Sequence, residues 1–209
     1  MKVEQFIVGT MGVCCYLVSC EKTGKAAFID TGAEAEMLLA ELDKAGLTLE
    51  YIISTHGHPD HVHCNRVIAE KTGAKIVMHK DDVSFFQEQE AIQYFSHLGM
   101  EFSPHADIEV VDGDVIKIGD EELRVIHTPG HTPGGMCLLG AGNLFSGDTL
   151  FVGAAGRTDF PGGDYPKLMD SIKNKLVVLD EKTIVWPGHG YGGTCSNIRV
   201  EKRTNSFCR

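Results

Sequence analysis

The sequence predicts an α+β fold in which two similar layers of strands and helices pack into a single domain spanning residues 1–209. Three observations carry this expectation. β-branched runs alternate with helical patterns, in the same order in each half of the chain. No linker, low-complexity segment or charge run divides the two halves. Several strands end in Gly-containing turns with a polar residue at the rim, as sheet edges meeting at one site would require.

In chain order, Phe6–Val8 and Val13–Cys20 read as paired strands across a glycine turn. "KAAFIDTG" reads as a buried strand ending at Asp30, with Thr31-Gly32 as the turn. Ala33–Ala45 is a helix, because Met37, Leu38, Leu42 and Ala45 share a face and Gly46 closes it. "EYIISTH" is the next strand, Asn65–Thr72 a short helix stopped by Gly73, and "KIVMH" a further strand. Asp81–Leu98 reads as one helix whose Phe85, Phe86, Tyr94 and Phe95 either cover a site or simply pack. "DVIKIG", "ELRVIHT", "GMCLLG" and "NLFSGD" follow as short strands. A helix from Tyr165 to about Leu176 leads to the strand in "TIVWPGHG", and the tail "TCSNIRVEKRTNSFCR" closes as a helix.

Composition excludes several classes of function. A hydrophobic share of 43% against 23% charged residues suits a globular core. The net charge of −10, without a block of Lys or Arg, argues against nucleic-acid binding. No run approaches the ~18 apolar residues of a membrane span. "FIVGTMGVCCYLVSC" lacks the basic start of a signal peptide and is interrupted by Gly9, Thr10 and Gly12. Seven cysteines, an odd count in a chain that needs no disulfide staples, point to a reducing, cytoplasmic compartment.

"STHGHPDHVHC" places His56, His58, Asp60, His61 and His63 within eight positions. Helical zinc motifs set histidines at i and i+4 to share a face. The offsets here suit a loop whose successive side chains splay, so that His56 and His58 can face one point and Asp60 and His61 another. Donors aimed at two neighbouring points describe a dinuclear metal site. Three further strand ends offer partners: His131 in "HTPGHTPGG", Asp148 in "LFSGDTLF" and His189 in "VWPGHGYGG".

The ordered set "IDTG", "THGHPDH", "HTPGHTPGG", "SGDTLF", "GRTDF" and "PGHG" resembles the metallo-β-lactamase superfamily, in particular its short glyoxalase II-like branch. The resemblance covers essentially the whole chain. It implies an αββα sandwich of two mixed sheets with outer helices, and two divalent ions in a groove at one sheet edge. One ion would be held by His56, His58 and His131, the other by Asp60, His61 and His189, with Asp148 bridging. Zinc is the default, since imidazole and carboxylate ligands also accept iron or manganese. Asp60 and Asp148 are the expected catalytic carboxylates of a hydrolase that attacks a small-molecule thioester with a bridging hydroxide, Asp60 taking up the proton.

Other residues have two readings. Asp30 suits an Asx turn, while the resemblance makes it a buried acid that steadies the histidine loop. His127 reads as a strand-end structural histidine, and His63 as a solvent or groove-lining residue rather than a ligand. Cys14, Cys15 and Cys20 read as core residues; Cys64 stands three residues from a ligand. Arg157 either pairs with Asp159 or, with Thr158, orients substrate, and Tyr165 and Tyr191 are candidate groove residues. "GRTDF" also occurs in persulfide dioxygenases, which would use one iron through His56, His131 and Asp148. That is the second functional expectation, and a non-catalytic metal-binding module is the third. The glutathione contacts of full-length glyoxalase II do not carry over to the tail, where Arg199, Lys202 and Arg203 stand on the closing helix.

Overall fold

A computed structural model describes residues 1–209. The first half supplies β1 (Lys2–Val8), β2 (Val13–Cys20), β3 (Lys25–Ile29), α1 (Ala35–Ala45), β4 (Thr48–Ile53), α2 (Pro59–Val62), α3 (Asn65–Thr72), β5 (Lys75–His79), α4 (Lys80–Phe85), α5 (Gln89–Phe95) and β6 (Ile108–Val110). The second supplies β7 (Val115–Ile118), β8 (Glu121–His127), β9 (Met136–Gly140), β10 (Asn143–Gly147), β11 (Leu150–Phe151), β12 (Ala154–Ala155), α6 (Tyr165–Asp170), β13 (Ile184–Pro187), β14 (Ser196–Asn197) and α7 (Ile198–Thr204). One sheet runs β1-β2-β3-β4-β5-β6, antiparallel up to β3 and parallel from there on. The other runs β14-β13-β10-β9-β8-β7, with only β10 and β13 parallel. Both sheets are mixed, as expected. No helix is long and apolar enough to cross a membrane.

Strand alternation explains the layering. In β2, Cys14, Tyr16 and Val18 face Val125, Leu138 and Phe145 of the second sheet, forming the inter-sheet core. Val13, Cys15 and Leu17 point the other way, toward Leu38, Leu42 and Ile68 of the outer helices. Every residue of β2 is therefore buried, because successive side chains leave opposite faces and both faces are covered. On the second sheet's outer face, Leu144 and Val185 pack against Leu168, Ile172 and Ile198. The result is the αββα sandwich.

Hydrogen bonds join the sheets near the rim that carries the histidines, among them Cys14 N–H to the Gly188 carbonyl at 2.8 Å. The Tyr16 hydroxyl donates to the Pro187 carbonyl at 2.5 Å, and the Met136 N–H donates to the Thr55 carbonyl at 2.9 Å. Tyr16 is fully buried, so its phenol needs that acceptor.

Three local expectations change. The long helix over Asp81–Leu98 is instead α4, a break, α5 and a 3₁₀ turn at Ser96–Leu98. The chain turns at Phe86 because that ring packs onto Gly57 and His58, and Glu88 is extended at the start of α5. The helix from Tyr165 continues beyond Asp170 as a wider π-helical stretch over Ser171–Leu176. The histidine segment is not purely a loop: Pro59 opens the single turn of α2, which carries Asp60 and His61.

Candidate metal centre

Four strand ends deliver the candidate ligands to one rim. His56 and His58 follow β4, Asp60 and His61 ride on α2, His131 follows β8, Asp148 follows β10 and His189 follows β13. A bulge between Phe145 and Gly147 interrupts the β10–β13 register just before Asp148 and re-aims the chain. The Ser146 hydroxyl within it hydrogen-bonds the Leu150 carbonyl at 2.6 Å. Gly188 must lack a side chain, since a Cβ there would collide with Asp148 Oδ1.

All seven residues are buried and converge. His56, His58 and His131 bring one ligand atom each within 4.8 Å of one another, and Asp60, His61 and His189 do the same. Asp148 lies between the two groups, 3.4 Å from His131 Nε2 and 3.5 Å from both His61 Nε2 and His189 Nε2.

Hydrogen bonding on the far side of the rings fixes which nitrogens face inward. His61 Nδ1 meets the Asp30 carboxylate at 3.1 Å, His189 Nδ1 the Met11 carbonyl at 3.0 Å, and His131 Nδ1 the Arg157 carbonyl at 2.7 Å. Carboxylates and carbonyls only accept, so each Nδ1 carries the proton. The Thr55 hydroxyl uses its single proton on Asp30, at 2.8 Å, and thus accepts from His56 Nδ1 at 3.1 Å. The four Nε2 atoms therefore face the centre, each with a lone pair whenever its ring is neutral.

That arrangement is the test of whether metal fits. His61 Nε2 and His189 Nε2 stand 3.1 Å apart, with Asp60 Oδ2 at 3.7 and 3.4 Å from them. His58 Nδ1 and His131 Nε2 are 2.9 Å apart. His56 Nε2 and Asp148 Oδ1 are buried without a hydrogen-bond partner, as is His58 Nε2. Two carboxylates and several inward-facing imidazole nitrogens crowded together at these distances favour positive charge among them, and the donor set suits divalent cations.

The imidazoles divide electrostatically. Burial, reinforced by neighbouring rings, holds His56 and His58 well below the ordinary histidine range and so keeps them neutral. Burial also opposes charge on His61, but the carboxylates of Asp148, Asp60 and Asp30 outweigh it and lift its pKa to about 10. Without metal, a proton on His61 supplies part of the missing charge.

Asp30 is the buried acid that the resemblance implied rather than an Asx-turn residue. It accepts from the Thr55 N–H and hydroxyl, both at 2.8 Å, and from His61. It does so from a left-handed backbone, φ 59°, uncommon for a residue with a Cβ and typical of functional sites. His127 is structural: its ring stacks on His79 at 4.0 Å and its Nε2 meets the Pro133 carbonyl. His63 accepts from the Glu101 N–H at 2.8 Å and lines no part of the groove. Cys14, Cys15, Cys20 and Cys64 are buried free thiols.

A groove of about 390 Å³ opens above His58, Asp60, His131, Asp148 and His189. Arg157 makes the Asp159 contact of the structural reading and also stands in the groove wall. It lines the groove and forms a bidentate pair with Asp159, both bonds 2.6 Å. Tyr191 lies over His189, the rings stacked at 4.7 Å. Tyr165, expected in the groove wall, is corrected: it starts α6, is 54% exposed, and lines no part of the groove. The Asp164 cap, accepting from the Lys167 N–H at 3.1 Å, commits it to a surface helix turn.

Sequence reasoning missed Asp82. Fully buried on α4, it accepts from the Gly57 N–H at 2.8 Å, the Thr132 hydroxyl at 2.8 Å and the Gly134 N–H at 2.5 Å. It thereby ties the His56–His58 segment to the His131 loop. Burial pushes its pKa up to about 6 against the pull of these bonds, leaving it ionised at neutral pH. An acid just past the end of β5, as Asp30 is at β3 and Asp148 at β10, was the available signal.

The chain belongs to the metallo-beta-lactamase superfamily, whose family model matches residues 8–189. These proteins are metal-binding hydrolases. The chain is 38% identical to an uncharacterized protein of Aquifex aeolicus, covering 99% of this chain and 97% of the relative. It is 36% identical to the hydroxyacylglutathione hydrolase GloC of Haemophilus influenzae, covering 87% and 86%. Among solved structures, the BLEG-1 B3 metallo-beta-lactamase superposes with a TM-score of 0.90 at 29% identity, covering 99% of both chains. ETHE1 from Myxococcus xanthus gives 0.85 at 30%, covering 99% of this chain and 84% of that one. TTHA1623, solved in a di-iron-bound form, gives 0.85 at 31%, covering 98% and 100%.

Two outcomes follow for substitutions. Asp148→Ala leaves the two acceptor groups without the carboxylate between them, so metal retained after dialysis should fall at least about tenfold, whereas His63→Ala should stay within about twofold. Elemental analysis of the two variants decides; equal losses would show that the ligand set is misplaced. Asp82→Asn turns an N–H donor toward another donor, and should lower the stability of the metal-free protein by about 1–3 kcal/mol. Urea unfolding measures this, with the exposed Ser84→Ala on the same helix as a control within about 0.5 kcal/mol.

Proposed function

We propose that the protein is a dinuclear-metal thioesterase that hydrolyses acyl-thioesters of small thiols, S-lactoylglutathione among them. The observation that carries this reading is a pair of complete ligand triads sharing Asp148 at the foot of an open groove. Similarity to the hydroxyacylglutathione hydrolase GloC supports it.

His56, His58 and His131 would hold one ion and Asp60, His61 and His189 the other, with zinc as the proposed metal and iron or manganese compatible with the same donors. What bound divalent ions supply here is Lewis acidity: a water pKa lowered from about 15.7 to about 7, and polarisation of a carbonyl oxygen. The chain's own residues do the rest. Asp30, Thr55 and the carbonyls of Met11 and Arg157 hold four imidazoles by Nδ1, so the donors need little reorganisation on binding. Asp60 reaches the foot of the groove, where its carboxylate can take the proton of an attacking water. A thiolate leaves without needing a dedicated acid, which favours a thioester over substrates with poorer leaving groups.

The second reading is a mononuclear-iron persulfide dioxygenase working through His56, His131 and Asp148. The likeness to ETHE1 favours it, while the "GRTDF" segment is shared by both kinds of enzyme and does not choose between them. The persulfide dioxygenases keep the same histidine motif, so the Asp60–His61–His189 triad fits either reading and metal content decides between them.

A substrate panel on the metal-replete protein tests the reading. Several acyl-thioesters should turn over, with little action on β-lactams or phosphodiesters, and Asp60→Ala should abolish the activity. Turnover confined to a β-lactam or a phosphodiester would remove the thioesterase assignment. Oxygen uptake on glutathione persulfide, with one iron per chain, would establish the second reading instead.

A further inference from the structure

We propose that the groove selects thioesters whose substituents on both sides of the carbonyl are apolar and free of carboxylates, in preference to those of glutathione. This rests on the thioesterase reading above and names its substrate class.

The walls above the ligands are aromatic. On one side Phe95 packs 4.8 Å from the His58 ring, Phe160 lies 5.8 Å from both, and Tyr94 continues outward 5.9 Å from Phe160. On the other side Tyr191 covers His189, and Phe151 stands 5.9 Å from Tyr191. Both walls start at candidate ligands and run outward, so a carbonyl placed over the centre has an aromatic surface on either side. Tyr94 is 42% and Tyr191 70% exposed. Large aromatics left open around a concave site mark a surface that apolar groups cover.

The charge inventory points the same way. Arg157 is the one Lys or Arg in the lining. Its guanidinium is bidentate to Asp159 and packs 3.9 Å above the centre of the Phe160 ring. Its charge is thus already paired, and its body forms part of the aromatic wall. A glutathione thioester carries two carboxylates some distance from the reacting carbon. Seating them here would strip water from anions without a free cation to receive them. An uncharged thiol carrier meets no such penalty, and each methylene of an acyl chain laid on the Tyr94–Phe95–Phe160 wall adds affinity.

Non-hydrolysable thioethers read the groove independently of the reaction. Dissociation constants on the metal-replete protein would be measured for S-methyl- and S-hexyl-N-acetylcysteamine and for S-hexylglutathione. About twofold per half-buried methylene, or about 30-fold over five, should separate hexyl from methyl. S-hexyl-N-acetylcysteamine should bind at least about tenfold more tightly than S-hexylglutathione. Phe160→Ala and the more exposed Tyr94→Ala should each cut the hexyl-to-methyl ratio to below about fivefold. Equal binding of hexyl and methyl, or tighter binding of the glutathione thioether, would overturn the inference and leave the thioesterase reading standing. Conversely, the expected binding pattern with no hydrolysis of hexanoyl-N-acetylcysteamine would support the groove's selectivity and remove the thioesterase reading.

Discussion

His61 and His189 hold their Nε2 atoms 3.1 Å apart while each Nδ1 is committed to an acceptor behind it. With both rings neutral, two lone pairs at that distance, ringed by Asp60 and Asp148, repel; a second proton on His61 relieves this in the metal-free protein, and a bound cation would take its place. Much of the site's surroundings can be read as the means of imposing this arrangement. Burial removes the water that would otherwise relieve it, and outer hydrogen bonds prevent the rings from turning away. The consequence is a centre poised for divalent metal, in which folding stability and metal affinity are coupled.

The sandwich supplies the rigidity. Its layers bury both faces of β2 and lock the strand ends that carry the ligands, so loops of only a few residues reach the centre from four strands. Asp30 with Thr55 and Asp82 with Thr132 brace these loops from behind. One acid serves the His56–His61 segment from the first sheet, and the other joins that segment to the His131 loop. Buried acids used this way are costly unless donors surround them, and each accepts three hydrogen bonds.

Much of this was legible in the sequence because the relevant signals are local. An apolar run after a glycine turn marked β2, Gly46 and Gly73 marked helix ends, and Asn65–Thr72 and Lys75–His79 fall where their patterns place them. The seven ligand candidates stood out because strand-end turns displayed them in short motifs. What escaped was set by tertiary contact. The helix expected over Asp81–Leu98 breaks where Phe86 is drawn onto Gly57, a partner far away in sequence. Asp82 drew no notice within the helix expected over Asp81–Leu98, since its three donors come from two distant loops. Tyr165 looked like a groove residue until the Asp164 cap turned it outward.

The groove extends the same logic outward, from a charged floor to aromatic walls whose single arginine is internally paired. The proposed hydrolysis depends on the floor holding two cations around Asp148. An anomalous-scattering map from crystals of the metal-replete protein tests that most directly. The account predicts two peaks about 3.5–4 Å apart, one bounded by His56, His58 and His131 and the other by Asp60, His61 and His189, with Asp148 touching both. A single peak in the first triad, with Asp60 and His61 turned away from an empty second position, would contradict it.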